Sequence, residues 1–339
     1  MQNISFFLGA NTVDGFTSLY EEYLAGADPA RVWVLKGGAG CGKSGLLKAA
    51  ARRAAQAGLA VYTIYCSGDP ESLDGVHIPA LGAAILDGTA PHVLEPQLVG
   101  QKGYYLDLSR FYQPASLALD SLDAAYKESY RRAYRYLAAA GAVDAAVPLP
   151  AEAAGAIRLR AQRLAAREFR RSETGQGRVT RFFTDAFTCA GTVTLPESRS
   201  ALCSRLLSLS GAAGASALFL ETLAEAALAR NWDIVLCPDP LQPARPAHLL
   251  IPELDLGVVT SGGGRRLHLE KTVFAAMDPR DKAEYREASA LRDALLAKAH
   301  EALQAAKASH DQLEAAVHPF IDFSGVTAFT ERFTNQLIP

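Results

Sequence analysis

The segment Gly37–Ser44, GGAGCGKS, constrains this chain more than any other. It matches G-x-x-x-x-G-K-[ST] and sits between an apolar run and a helical pattern. Val32-Trp33-Val34-Leu35 ahead of it suits a buried strand. Behind it Leu46, Leu47, Ala50 and Ala54 recur at helical spacing as far as Gly58, a stop signal. Strand, glycine loop and helix in that order bring backbone N–H groups together on a polyphosphate at a helix N-terminus. Side chains would block the approach and some positions need φ > 0, hence the glycines. The expected phosphate-binding residues are Gly37, Gly38, Ala39, Gly40, Cys41, Gly42, Lys43, Ser44 and Gly45. Lys43 is expected to reach the β- and γ-phosphates, and the Ser44 hydroxyl to ligate Mg²⁺. The pattern predicts a nucleoside triphosphate as partner. Cys41 lies inside this loop, so its alkylation is expected to block nucleotide entry.

Composition narrows the remaining classes. With 49% hydrophobic and 21% charged residues over 339 positions, the chain reads as globular and long enough for two domains. A net charge of −2 lacks the basic surplus of a dedicated nucleic-acid or anionic-membrane binder. No apolar stretch approaches the ~18 residues of a membrane span. The opening MQNISFFLGANTVDGF lacks a basic region followed by a long apolar one, so no export signal is expected. The five cysteines are scattered and form no CxxC pair, which fits a cytoplasmic chain without a thiolate metal site.

The two halves echo each other. Phe6-Phe7 is answered by Phe182-Phe183, Asp69-Pro70 by Asp239-Pro240, and Ile78-Pro79-Ala80-Leu81 by Ile251-Pro252-Glu253-Leu254. The last pair sets an offset of 173 (251 − 78), which places Gly38 on Gly211. A two-copy array is the simplest reading. Strands are expected at Leu59–Cys66, Ala83–Leu86 and Tyr104–Leu108, answered in the second copy by Trp232–Cys237, Leu256–Val259 and Leu267–Leu269. Strands alternating with helices predict an α/β fold: two tandem P-loop NTPase-like lobes, each a parallel sheet covered by helices. The lobes are expected over 1–175 and 176–339, the first with a helical tail and the second with long C-terminal helices.

The copies are unequal. Under the offset Lys43 falls on Ser216, Ser44 on Ala217 and Asp87 on Thr260, so the second lobe is degenerate and expected to be structural or regulatory. Losing one charge-assisted phosphate contact costs about 1.5–3 kcal/mol. Asp87 ends the apolar run Ala83–Leu86, where a phosphate-loop protein keeps the carboxylate that holds Mg²⁺. Ser44 with Asp87 is therefore the expected metal pair. His92, in the segment DGTAPH, is a candidate for orienting water or touching the γ-phosphate; a surface histidine after a proline is the alternative. In CSGDPESLDG, Cys66 to Gly75, Asp69, Glu71 and Asp74 are candidate proton acceptors, and one of Asp69, Asp74 or His92 is expected to position the nucleophile; an Asx-turn and helix cap using Asp69, Pro70 and Glu71 is the rival role. Gly88 follows Asp87 where many motor-type ATPases carry a glutamate, which points to slow hydrolysis or phosphoryl transfer. Tyr126, Tyr130 and Tyr134 form a stripe beside arginines, read as a lid that donates an arginine, as a weak RNA-binding face, or as a solvated face with the stripe packed on the sheet.

FFLGANTVDGF, GGAGCGKS, CSGDPESLDG, IPALG, DGTAPH and the ending HDQLEAAVHPFIDF together resemble a bacterial family of tandem P-loop ATP-binding proteins of unassigned role, ATPase- or nucleotide-kinase-like. The resemblance covers nearly the whole chain. It implies a double P-loop fold with ATP bound at Gly37–Ser44, and no substrate. Members often keep both loops intact, whereas the second loop here is degraded. The sequence-level expectation is an ATP-binding protein with slow Mg²⁺-dependent hydrolysis at the first lobe. A kinase for a nucleotide or other small-molecule acceptor, and a nucleotide-gated protein that binds a protein partner, are its rivals. No guanine-reading N-K-x-D pattern occurs, which tilts the base toward adenine.

Overall fold

The computed structural model describes residues 3–113, 119–211 and 213–338. In the first lobe β1 (Ile4–Phe7) leads into a hairpin, β2 (Gly9–Thr12) and β3 (Gly15–Ser18), then α1 (Tyr20–Ala27). β4 (Arg31–Lys36), α2 (Lys43–Gln56), β5 (Tyr62–Tyr65), β6 (Leu73–Ile78), β7 (Ala83–Asp87) and β8 (Gly103–Asp107) follow. Two helices, α3 (Asp120–Ala145) and α4 (Ala151–Glu168), lead to the second lobe. That lobe repeats the order: β9 (Val179–Arg181), the hairpin β10 (Asp185–Thr188) and β11 (Gly191–Thr194), then α5 (Pro196–Leu202). β12 (Arg205–Ser210), α6 (Ala213–Leu228), β13 (Ile234–Pro238), β14 (Pro246–Ile251), β15 (Leu256–Val259) and β16 (Arg265–His268) complete it. The chain closes with α7 (Glu270–Ala275), α8 (Pro279–Val317) and α9 (Phe323–Leu337).

The duplication extends to fine detail. The sheets are ordered β1-β5-β6-β7-β4-β8 and β9-β13-β14-β15-β12-β16. Each carries a register shift at one place, Ile64/Tyr65 and Cys237/Pro238. The short turns Pro79–Leu81 and Pro252–Leu254 each end on a left-handed residue, Gly82 and Asp255. The expectation of parallel sheets is corrected here: both are mixed, because β6 and β14 run antiparallel to both neighbours. The expected loop Cys66–Gly75 therefore yields its last residues to β6, which places Asp74 on a strand. Every residue of β6 is buried, so it shows none of the alternation that marks a half-exposed strand.

The lobes join edge to edge. Phe7 and Phe183 exchange backbone hydrogen bonds of 2.8 and 2.9 Å, and the Phe6 and Phe182 rings stack at 4.6 Å. The two phenylalanine pairs that echo in sequence thus meet in space. Buried around them are Ile64, Cys203, Cys237 and Leu250, a core shared by both sheets. The helices cross over. α4 buries Ala153, Ile157 and Ala161 with Phe219 and Leu223 of α6, in the second lobe. α8 lies antiparallel along α3: the Tyr126 and His310 rings meet at one end, and Asp144 pairs with Arg292 (3.5 Å) at the other. In consequence the second copy's C-terminal helix roofs the first lobe. No helix among the described residues is long and apolar enough to cross a membrane.

Candidate functional site

A cavity of about 530 Å³ opens over the carboxyl ends of β4 and β7, within the size range of small-molecule sites. The glycine loop, Asp74, Asp87 and His92 form its floor, and Tyr126, Tyr130, Lys307 and Glu314 its roof. Gly37, Gly40 and Gly42 have φ of +149°, +70° and +93°, so the loop curls around its own amides. A Cβ on Gly37 would fall 2.6 Å from the Cys41 sulfur, and Gly42 begins α2 in the left-handed region. The first turn of α2, Lys43 to Gly45, presents its helix N-terminus to the cavity.

Lys43 Nζ donates to the carbonyls of Gly37 (2.7 Å) and Gly38 (3.0 Å) and lies 3.8 Å from Asp87 Oδ2. Ser44 Oγ accepts the Leu73 N–H at 3.0 Å. Asp87 Oδ1 accepts from the Thr89 N–H (2.9 Å) and hydroxyl (2.8 Å), which fixes the carboxylate and leaves Oδ2 toward Lys43. At the roof, Glu314 Oε1 accepts the Gly40 N–H at 3.0 Å. Tyr112 hydroxyl donates to the Ala39 carbonyl at 2.6 Å and braces the loop from outside.

The remaining expected residues separate. His92 is buried against Tyr20, ring centroids 4.9 Å apart, rather than exposed. Asp69 lines the cavity, but its oxygens accept from Glu71 N–H (3.0 Å) and Ser72 hydroxyl (3.1 Å), and Lys307 lies 3.5 Å away. Those are the contacts of an Asx-turn. Cys41 packs its thiol into the core beneath the loop, and burial pushes that thiol up, which lowers its reactivity toward alkylation. Asp74, a candidate from the same loop for positioning the nucleophile, is buried on β6. Burial, with the Asp87 charge adding to it, pushes the Asp74 carboxyl up to about 7. Its Oδ2 accepts from the Tyr20 hydroxyl at 3.3 Å.

Comparison of the chain with protein-family models, with curated proteins and with solved structures gave no match.

The counterpart region of the second lobe differs in shape as well as in chemistry. Strand register aligns β4 with β12 so that Gly37, not Gly38, answers Gly211; both have φ near +150°, at +149° and +156°. Leu46, Leu47, Ala50 and Ala54 of α2 are answered by buried Phe219, Leu220, Leu223 and Ala227 of α6. The helix register thus keeps Ser216 opposite Lys43. α6 already starts at Ala213, so the glycine arch before α2 has no equal length of chain in this lobe. Ser216 itself is buried within the helix.

Proposed function

We propose that the first lobe is a P-loop ATP site and that its turnover is slow and Mg²⁺-dependent. The observation that carries this reading is the Gly40 amide holding a carboxylate oxygen inside a left-handed glycine loop. A loop amide that captures an anion from the chain itself is built to take one from a phosphate. Lys43, now turned onto two loop carbonyls, needs only side-chain rotation to meet β- and γ-phosphate oxygens. Mg²⁺ fits the hard oxygen donors of the site, the Ser44 hydroxyl and the Asp87 carboxylate. When bound it would offset charge on the phosphate oxygens.

Slow turnover follows from what surrounds the phosphates. Asp69 is engaged by its own turn and by Lys307, and glycine occupies the position after Asp87. A kinase reading draws on the cavity's extension past the loop to Asn11, Ser67 and Tyr130, which gives room for an acceptor. The deciding experiment measures Mg²⁺-ATP binding and phosphate release with and without a panel of nucleoside monophosphates. Phosphate released without acceptor supports the ATPase. Label transferred to an acceptor supports the kinase. Wild-type protein that binds no ATP removes both.

A further inference from the structure

We propose that Asp74, His92 and a shared Asp87 form a divalent-cation site of their own, selective for transition metals such as Mn²⁺ and Co²⁺ over Mg²⁺. It builds on the reading of this cavity as a nucleotide site, and adds an ion that the nucleotide does not bring. The donor atoms of the three residues lie within 4.8 Å of one another. His92 is only 7% exposed, yet neither ring nitrogen has a hydrogen-bond partner among the described residues. Buried imidazole nitrogens are ordinarily satisfied, so the two orphan atoms call for an occupant. Nε2 faces Asp74 Oδ2 at 3.7 Å, too far for a hydrogen bond and wide enough for an ion between them.

Charge points the same way. Two carboxylates sunk side by side repel each other and favour a cation. Lys43 stands 3.8 Å from Asp87, whereas Asp74 has the Tyr20 hydroxyl and, among the described residues, no lysine or arginine paired with it. The Tyr20 ring stacked on His92 and the Thr89 bonds to Asp87 hold two of the donors in place before any ion arrives. One imidazole with two carboxylates suits Mn²⁺, Co²⁺ or Zn²⁺, while Mg²⁺ prefers an all-oxygen shell with several waters. The other acid–histidine group, His310, Asp311 and Glu314, lies along one helix with Lys307 paired to Asp311, and serves as the control.

The test titrates Co²⁺ into nucleotide-free full-length protein and follows its visible absorption bands. Wild type is expected to bind one Co²⁺, displaced by Mn²⁺ or Zn²⁺ but not by excess Mg²⁺. His92→Ala and Asp74→Asn are each expected to weaken binding roughly tenfold or more, and His310→Ala to leave the spectrum unchanged. Thermal melts and Mg²⁺-ATP binding on the same variants establish that they are folded. Equal displacement by Mg²⁺, an unaltered spectrum in folded His92→Ala, or loss of the bands in His310→Ala overturns the proposal. If Co²⁺ fails to bind while ATP binds, only this inference falls. If Co²⁺ binds through His92 while ATP does not, only the nucleotide reading falls.

Discussion

Glu314 Oε1, near the end of α8, accepts the Gly40 N–H of the glycine loop at 3.0 Å. The two residues are 274 positions apart, and the bond ties the second copy's tail to the first copy's site. On the proposed nucleotide reading, a carboxylate there would compete with phosphate for the amide and repel its charge. Glu314→Gln is therefore expected to tighten ATP binding about tenfold, about 1.4 kcal/mol. Calorimetric titration of both proteins checks this. Weaker binding in the variant would show instead that Glu314 supports the bound state.

Lys43→Ala should weaken ATP binding by about 1.5–3 kcal/mol, on the order of 10- to 100-fold, through loss of a charge-assisted contact. The Ser216→Ala protein should bind like wild type, since Ser216 is buried within α6. Equal losses in the two variants would mean that both lobes take part. An unchanged Lys43→Ala protein would remove the first lobe from consideration.

How far these sites could be read from sequence depended on whether their signal was local. Gly37–Ser44 was legible because strand end, loop and helix start are contiguous in the chain, and Asp87 because it closes an apolar run; the fold brings both to one cavity. The duplication was legible through paired prolines and phenylalanines, although the strand register moved one alignment from Gly38 to Gly37. β6 was hidden, since its Asp74, Gly75 and His77 resemble a loop. They are buried because Tyr20 and Tyr23, about 54 residues earlier, bring hydroxyls to Asp74 and His77. The roof was hidden for a related reason. An amphipathic run over 279–317 shows that α8 needs a partner, but not that Tyr126 and Tyr130 of the first tail supply it.

In the second lobe a structural network lies beside the residue that answers Asp87. Thr260 N–H donates to His248 Nδ1 at 3.1 Å, and His248 Nε2 lies 2.7 Å from Asp185 Oδ2 and 2.6 Å from Arg199 Nη1. Arg199 Nη1 reaches Asp185 Oδ1 at 3.2 Å and Ser261 Oγ at 3.1 Å. With Arg199 only 1% exposed, removing it strands the buried Asp185 charge. Arg199→Met is expected to destabilise the protein by roughly 3–5 kcal/mol while ATP affinity stays within twofold on folded protein. Urea unfolding gives the first quantity and titration the second. A loss under about 1 kcal/mol would put the pair in the class of solvated surface bridges.

A second buried histidine makes stability depend on pH. His77 Nδ1 lies 2.7 Å from the Tyr23 hydroxyl, and burial pushes His77 down from 6.5 to about 4. The unfolded chain protonates this ring near pH 6.5, while the folded chain resists until about pH 4. Between those values the unfolded state binds more protons, so stability falls as pH falls through this window and is full above it. The whole shift corresponds to about 3 kcal/mol. Other buried histidines and carboxyls titrate nearby, so the informative quantity is the difference between wild type and His77→Gln. Urea denaturation from pH 4 to pH 8 should give a steeper acid-side decline for wild type, and the two curves should run parallel above pH 7. Identical slopes throughout would mean that His77 binds its proton equally well in the folded and unfolded chains, and burial would then not hold it neutral.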